Sequence, residues 1–248
     1  MRIQVLDKII GEWQRPWALV WFFCGAAALG SGFWWGTERT TLDMLMLCVA
    51  LIGLICVVAL AFRRNLTGNG LGLAANMGES IVQGRVGATG LVLAPLFYFL
   101  THLYGLVTWR KHQDREGNMR PRSANTSVWW VTAGFIFLGL AIFPWLNAQL
   151  QTYSFLESST DVALHFLGWD LSWYQINVVA FVLGVTAQTT MILRYSFSWL
   201  LWIAVNFVWL AVNLANQNYI FAIQTMVYQV NAFIGLYGWW RSSRGDLL

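Results

Sequence analysis

Near the end of the chain, Trp199, Trp202, Asn206, Trp209 and Asn213 follow one another at spacings of three, four, three and four. That rhythm places all five on one helical face. Indoles and carboxamides make and break no covalent bonds. They stack on flat rings, draw cations to a π face and exchange hydrogen bonds with amides and hydroxyls. A second polar stripe lies 130 positions earlier, as Asn69, Gly72, Asn76, Glu79 and Gln83. A third, Gln224, Tyr228 and Asn231, runs at spacings of four and three and continues to Gly235 and Gly238. Its counterpart at an offset of 133 is Leu91, Pro95, Tyr98, His102 and Gly105. Four such faces suit one shared site with aromatic walls, amides and a single carboxylate.

A competing reading treats Asn and Gln as hydrogen-bonding glue between membrane helices and Trp as interfacial anchors. It applies best to Trp199 and Asn213, which lie nearer the ends of their span. Asn206, Trp202 and Asn231 sit deeper, where an unsatisfied polar group is costly unless it faces protein or a wet cavity. For Glu79 three roles stay open: counter-charge to a cationic ligand, proton relay, or a carboxylate at a boundary that water reaches. His102 alone on its helix is commonly a satisfied structural residue.

The elements that carry these stripes follow from composition. Of 248 residues 58% are hydrophobic and 10% charged, against about 25% charged in an ordinary soluble domain. A bilayer span needs about 20 mostly apolar residues, and eight segments qualify: approximately 17–35, 41–62, 66–83, 86–109, 127–150, 172–194, 198–217 and 219–240. The third is weak by hydropathy, and its stripe explains why. With both termini on one side, thirteen Lys and Arg fall on that side and only Arg39 and Arg85 on the other. That bias predicts cytoplasmic termini. It also supports the third span, because removing it would put the loop at 110–122 opposite Arg63 and Arg64. The long outer loop at 151–171 carries Glu157, Asp161 and Asp170 and no Lys or Arg.

The spans repeat. An offset of 131 pairs Gly53 with Gly184 and Arg63 with Arg194, 130 pairs Asn76 with Asn206, and 133 pairs Leu103-Tyr104-Gly105 with Leu236-Tyr237-Gly238. Spans two to four thus resemble spans six to eight, with span five left as a connector. One connector between two three-helix units makes the repeats parallel. The expected fold is an all-α polytopic membrane protein with about eight transmembrane helices, two parallel three-helix repeats being joined by a connector helix. The expected units are an N-terminal extra helix at 1–39, repeat one at 40–110, the connector with flanking loops at 111–171, repeat two at 172–241 and a tail at 242–248.

Several functions are excluded. The basic residues are scattered between apolar runs rather than gathered on a polar face, so nucleic acid is not a partner. Cys24, Cys48 and Cys56 show no CxxC spacing, and three dispersed histidines make no metal or haem scaffold, so no metal or cofactor is expected. No hydrolase motif or phosphate loop appears, so an enzyme is not expected. Lys8 and Lys111 are the only lysines and both lie outside the spans, which removes a retinal Schiff base. A channel calls for charged rings or a carbonyl filter. A carrier for a small ring-containing solute fits best.

Two stretches, YSFSWLLWIAVN from Tyr195 to Asn206 and NAFIGLYGWW from Asn231 to Trp240, resemble the PnuC family of bacterial vitamin transporters. The resemblance covers about residues 41–241 and leaves the first span as an extension beyond the usual seven helices. It implies two three-helix bundles joined by a connecting helix, as in the SWEET fold, assembled as a homotrimer in the inner (plasma) membrane. It implies facilitated diffusion of nicotinamide riboside, a vitamin used in NAD biosynthesis, with phosphorylation trapping the solute inside. Relatives carry thiamine or riboflavin, so thiamine on the same scaffold is the alternative, and a non-transporting structural subunit is the alternative from another class. Trp199, Trp202 and Asn206 match the family's W-x-x-W and Asn, and Asn231 matches the Asn of its final helix. Gln224, Tyr228, Asn76 and Glu79 join them from the stripes. The third span is richer in glycine than the family pattern.

Overall fold

The structure, a computed structural model, describes residues 3–86, 89–150, 162–166, 168–215 and 217–245. It is almost wholly helical, as the span pattern requires: α1 (Gln4–Ile10), α2 (Gln14–Gly36), α3 (Thr41–Ala61), α4 (Asn65–Val86), α5 (Thr89–Arg110), α6 (Thr126–Leu150), α7 (Trp173–Ile192), α8 (Ser198–Ala215) and α9 (Tyr219–Ser243). The eight expected spans correspond to α2 through α9. Six of these, α2, α3, α6, α7, α8 and α9, are long and apolar enough to cross a membrane. The glycine- and amide-rich α4 is not among them.

Part of the expected outer loop is instead ordered as an antiparallel hairpin, β1 (Val162–Phe166) and β2 (Trp169–Ser172). Gly168 at φ +83° supplies the left-handed turn that other residues resist. The rest of that loop, 151–161 with Glu157 and Asp161, lies outside the described residues.

Six helices close a ring in the order α3, α4, α5, α7, α8, α9, each touching the next and α9 returning to α3. Among the described helices α6 packs only on α7, with its Trp129 also against Phe197 in the turn before α8, as a connector would. Helix α2 lies outside the ring against α3 and α9. Its Gly25 meets Leu54, its Gly32 meets Ile223 and its Gly36 meets Tyr219, so small residues at helical spacing let the backbones approach.

Three glycines of α4 have the same purpose. Gly68 backs on Leu60, Gly72 on the face of His102 and Gly78 on Val49. The helix is poor in leucine partly because it is pressed between α3 and α5, and not only because one face is wet.

Corresponding positions of the two halves make corresponding contacts. Helices α3 and α7 both start in a capping box, Thr40 with Asp43 and Ser172 with Gln175, in which each end satisfies the other's backbone donor. Both end in a residue with left-handed backbone, Arg63 at φ 64° and Arg194 at φ 68°. The next amide in each case reaches back to a helix carbonyl, Arg64 to Ala59 and Tyr195 to Thr190. In α5 and α9 the contacts follow an offset of 130: Tyr98 and Tyr228, Gly105 and Gly235, Trp109 and Trp239. The LYG pairing at 133 is therefore a coincidence of sequence. A three-residue slip rotates a helix by only about 60°, so residue periodicity alone tolerates it.

Candidate functional site

The ring surrounds a cavity lined from all six of its helices. The α8 stripe faces it in full: Trp199, Trp202, Asn206, Trp209 and Asn213 all line the wall. Around the rest of the wall, α4 contributes Asn76 and Glu79, α9 contributes Gln224 and Tyr228, and α5 contributes Pro95, Tyr98 and His102. Seven of the eight candidate residues, Trp199, Trp202, Asn206, Gln224, Tyr228, Asn76 and Glu79, are thus brought to one place.

Asn231 is not in the lining. It is fully buried, and its Nδ2 donates to the carbonyl of Val57 at 3.0 Å. This amide ties α9 to α3 one turn beyond the lining residue Tyr228. The side chain of Gln83 lies outside the described set.

Residue pattern had also left Gln188, Thr225 and Cys56 unassigned, and all three line the cavity. Gln188 donates to Thr101 Oγ1 at 2.9 Å, and Thr225 stands 3.4 Å from Asn213 Nδ2. A polar residue isolated in an apolar span was the only signal for Gln188. Thr225 returns its hydroxyl hydrogen to the Phe221 carbonyl at 2.7 Å, so as a helix residue it gives no signal at all.

A relay of amides fixes the α4 and α5 wall. Asn65 Nδ2 donates to the Leu106 carbonyl (3.1 Å), Asn69 Nδ2 donates to Asn65 Oδ1 (2.8 Å), and Asn69 Oδ1 therefore accepts from His102 Nδ1 (2.8 Å). Because the carbonyl at the end can only accept, the polarity of the chain follows, and His102 is the Nδ1–H tautomer. Its Nε2 faces Gln188 Nε2 at 3.4 Å.

Where α8 faces Tyr98 of α5, polar atoms are left for something else. Trp199 Nε1, Trp202 Nε1 and the Tyr98 hydroxyl are buried without a hydrogen-bond partner among the described residues. Such groups in a membrane interior call for a partner. Glu79 shares a hydrogen bond with Gln224, whose Nε2 also donates to the Tyr228 hydroxyl at 2.8 Å. Tyr98 meets Trp202 edge to face at 5.6 Å. Among the described residues the lining therefore offers indole and phenol faces, free indole N–H groups, primary amides and one carboxylate, and it contains no Lys or Arg. No group of three or more His, Cys, Asp or Glu able to hold a metal ion occurs among the described residues.

Toward the Arg-rich end the walls close. Trp109 Nε1 donates across to the Ile192 carbonyl at 2.9 Å, and Trp239 Nε1 donates to the Leu60 carbonyl at 3.1 Å. The two indoles, both fully buried, meet each other edge to face at 5.7 Å, and Trp239 meets Trp199 at 5.6 Å. Each half thus anchors a tryptophan on the first helix of the other.

Comparison with known proteins agrees with this architecture. A solved structure described as the crystal structure of the vitamin B3 transporter PnuC superposes with a TM-score of 0.72 at 19% identity, covering 92% of each chain. At that identity the likeness establishes the fold. No curated protein matches. The family model described as nicotinamide mononucleotide transporter matches residues 43–241, a stretch that contains the whole ring but for the outermost two residues of α3 and of α9, and every cavity residue named above. The chain, a multi-pass membrane protein and not an enzyme, therefore belongs to the nicotinamide mononucleotide transporter family, PnuC.

Proposed function

We propose that this transporter carries nicotinamide riboside across the bacterial inner membrane by facilitated diffusion, toward the side that bears the Arg-rich loops. The single observation that carries this reading is the composition of the lining among the described residues: aromatic faces and one carboxylate, Glu79, with no Lys or Arg. A pyridinium ring is flat and cationic, so it gains from indole faces and from a nearby carboxylate. The amides of Asn76, Asn206 and Gln224 suit a carboxamide and ribose hydroxyls. A phosphate would meet no cationic partner there, which favours the riboside over the mononucleotide of the family's description. Phosphorylation inside the cell then traps the solute, so that no ion gradient is needed.

In this reading the units are the extra helix at 1–39, repeat one at 40–110, the connector at 111–171, repeat two at 172–241 and a tail at 242–248, assembled as a homotrimer with cytoplasmic termini. The experiment is tryptophan-fluorescence titration of the purified protein with nicotinamide riboside, nicotinamide mononucleotide, thiamine and riboflavin, repeated on Trp202→Ala. Saturable quenching by the riboside alone, lost in the variant, is expected. Saturation by thiamine instead replaces the solute and keeps the scaffold, and no response to any of the four removes the vitamin reading. Uptake into proteoliposomes without an ion gradient tests the facilitated step, and its absence would count against passive transport.

A further inference from the structure

The segment between α5 and α6 does not line the cavity, yet it is bound to both halves of the ring. Residues 112–120 form a small hairpin. Asp114 Oδ1 accepts from the amides of Glu116 (3.0 Å) and Asn118 (2.8 Å), the Asp114 amide donates to the Asn118 carbonyl (2.8 Å), and the Arg120 amide donates to the His112 carbonyl (2.8 Å). On one side the hairpin holds the turn after α3. The Met119 amide donates to the Arg63 carbonyl at 3.0 Å, and Asp114 Oδ2 lies 3.6 Å from Arg63 Nη1. On the other side it holds the equivalent turn after α7. The Arg122 amide donates to the Arg194 carbonyl (2.8 Å), Arg194 Nη1 donates to the Arg120 carbonyl (2.9 Å), and the Ser196 amide donates to the Arg122 carbonyl (3.0 Å). One strap therefore joins the two left-handed turns that the repeat makes equivalent.

Between those two attachments the strap inserts one side chain. Met119 is fully buried in a cluster with Cys56, Leu60, Trp109, Met191, Trp199 and Trp239. Cys56, Leu60, Met191 and Trp199 are cavity walls, whereas Met119, Trp109 and Trp239 lie behind them. The methionine thus fills the layer that separates the cavity from the Arg-rich face. An unbranched thioether is suited to a plug that enters and leaves, because it packs in many rotamers.

We infer that residues 111–122 are the gate on the Arg-rich side, a strap that clamps the two halves together with Met119 as its stopper. Passage toward that side then requires Met119 to withdraw and the crossed Trp109 and Trp239 hydrogen bonds to part. The inference rests on the chain being a transporter and not on which solute it carries.

The test uses Cys56 as the only thiol, in a Cys24→Ala, Cys48→Ala background, with a membrane-impermeant maleimide added from one face at a time. Asp114→Asn removes the charge opposite Arg63 but keeps the carbonyl oxygen that organises the hairpin, and Met119→Ala removes the stopper. Labelling of Cys56 from the Arg-rich face is expected to rise about tenfold in Asp114→Asn, the population change that loss of one largely buried ion pair commands, and further in Met119→Ala. Labelling from the opposite face should not change. Rates equal to the parent's in both variants overturn the gate. A rise from both faces marks loss of fold, and spin labels then decide. With labels on the exposed Arg115 and Arg244 positions of an otherwise cysteine-free chain, a gate gives a second, longer distance that gains population in Asp114→Asn, with no solute added. A single distance in all conditions overturns the inference. The thiol measurement needs no solute, so a wrong solute and a wrong gate fail separately.

Discussion

Tyr98 lodges its hydroxyl against the bare Cα of Gly184, leaving no room for a β-carbon there. The same arrangement recurs with the halves exchanged, where Tyr228 from α9 occupies the space beside Gly53 of α3. Each three-helix unit thus inserts the tyrosine of its third helix into a notch on the first helix of the other. These glycines are packing notches at the seam of the ring.

An added methyl at either notch must push a tyrosine ring toward the cavity. Gly53→Ala and Gly184→Ala are each expected to destabilise the protein by about 1–3 kcal/mol, the usual cost of overpacking a filled interior. Tyr228→Phe should recover part of the loss in Gly53→Ala but none in Gly184→Ala, and Tyr98→Phe the converse. Thermal unfolding in detergent, read as a double-mutant cycle, checks the pairing; equal recovery by both phenylalanines would sink it.

Among the described residues, Glu79 is the only carboxylate on the cavity wall. Glu79→Gln should weaken binding of nicotinamide riboside about tenfold or more, the scale of one charged contact. Its reduced analogue, in which the ring is neutral, should be nearly indifferent to the change. Isothermal titration of both compounds against both proteins separates a counter-charge from a mere wall residue, since a structural role would weaken the two alike.

Asn231 sits outside the lining and bonds to the Val57 carbonyl. Asn231→Leu should therefore lower the unfolding temperature while leaving the dissociation constant unchanged, whereas Asn206→Leu should do the reverse. A large rise in the dissociation constant of Asn231→Leu, measured by the fluorescence titration, would return that residue to the site.

Trp109 and Trp239 donate equivalent hydrogen bonds across the seam. Replacing either by Phe should cost about 0.5–1.5 kcal/mol for the lost bond plus a cavity contribution, with similar values for the two. Markedly unequal losses in chemical or thermal denaturation would show that the two halves do not share the load.

Much of this was legible in residue order. The spans, the α8 stripe and the joint position of Asn76, Glu79, Gln224 and Tyr228 follow from helical periodicity, because a costly polar side chain in a membrane helix has to face protein or a cavity. Asn231 shares the phase of Gln224 and Tyr228, but periodicity gives only direction around a helix. It does not say that α3 crosses at that depth and covers it. Gln188 was missed because its counterpart at an offset of 131 is Val57, so the repeat offered no echo. The hairpin at 112–120 depends on main-chain bonds to two distant turns, which leave no mark in side-chain pattern.

At one level of the ring the two halves differ in bulk. Helix α4 has Gly72 against the imidazole of α5, whereas at the positions 130 later α8 has Trp202 and α9 has Ala232 in one packed cluster. The large group has changed helices. Two identical halves would form a cage with a dyad through its centre, in which any solute could sit equally well in either of two reversed poses. Moving the bulk to α8 in one half and to α5 in the other removes that degeneracy and displaces the stacking surface from the axis. On the proposed function, a molecule with a ring at one end and a sugar at the other is expected to sit in a single sense, and the divergence of these four residues, with that of Glu79 from Trp209 at the same offset, gives the cage its direction.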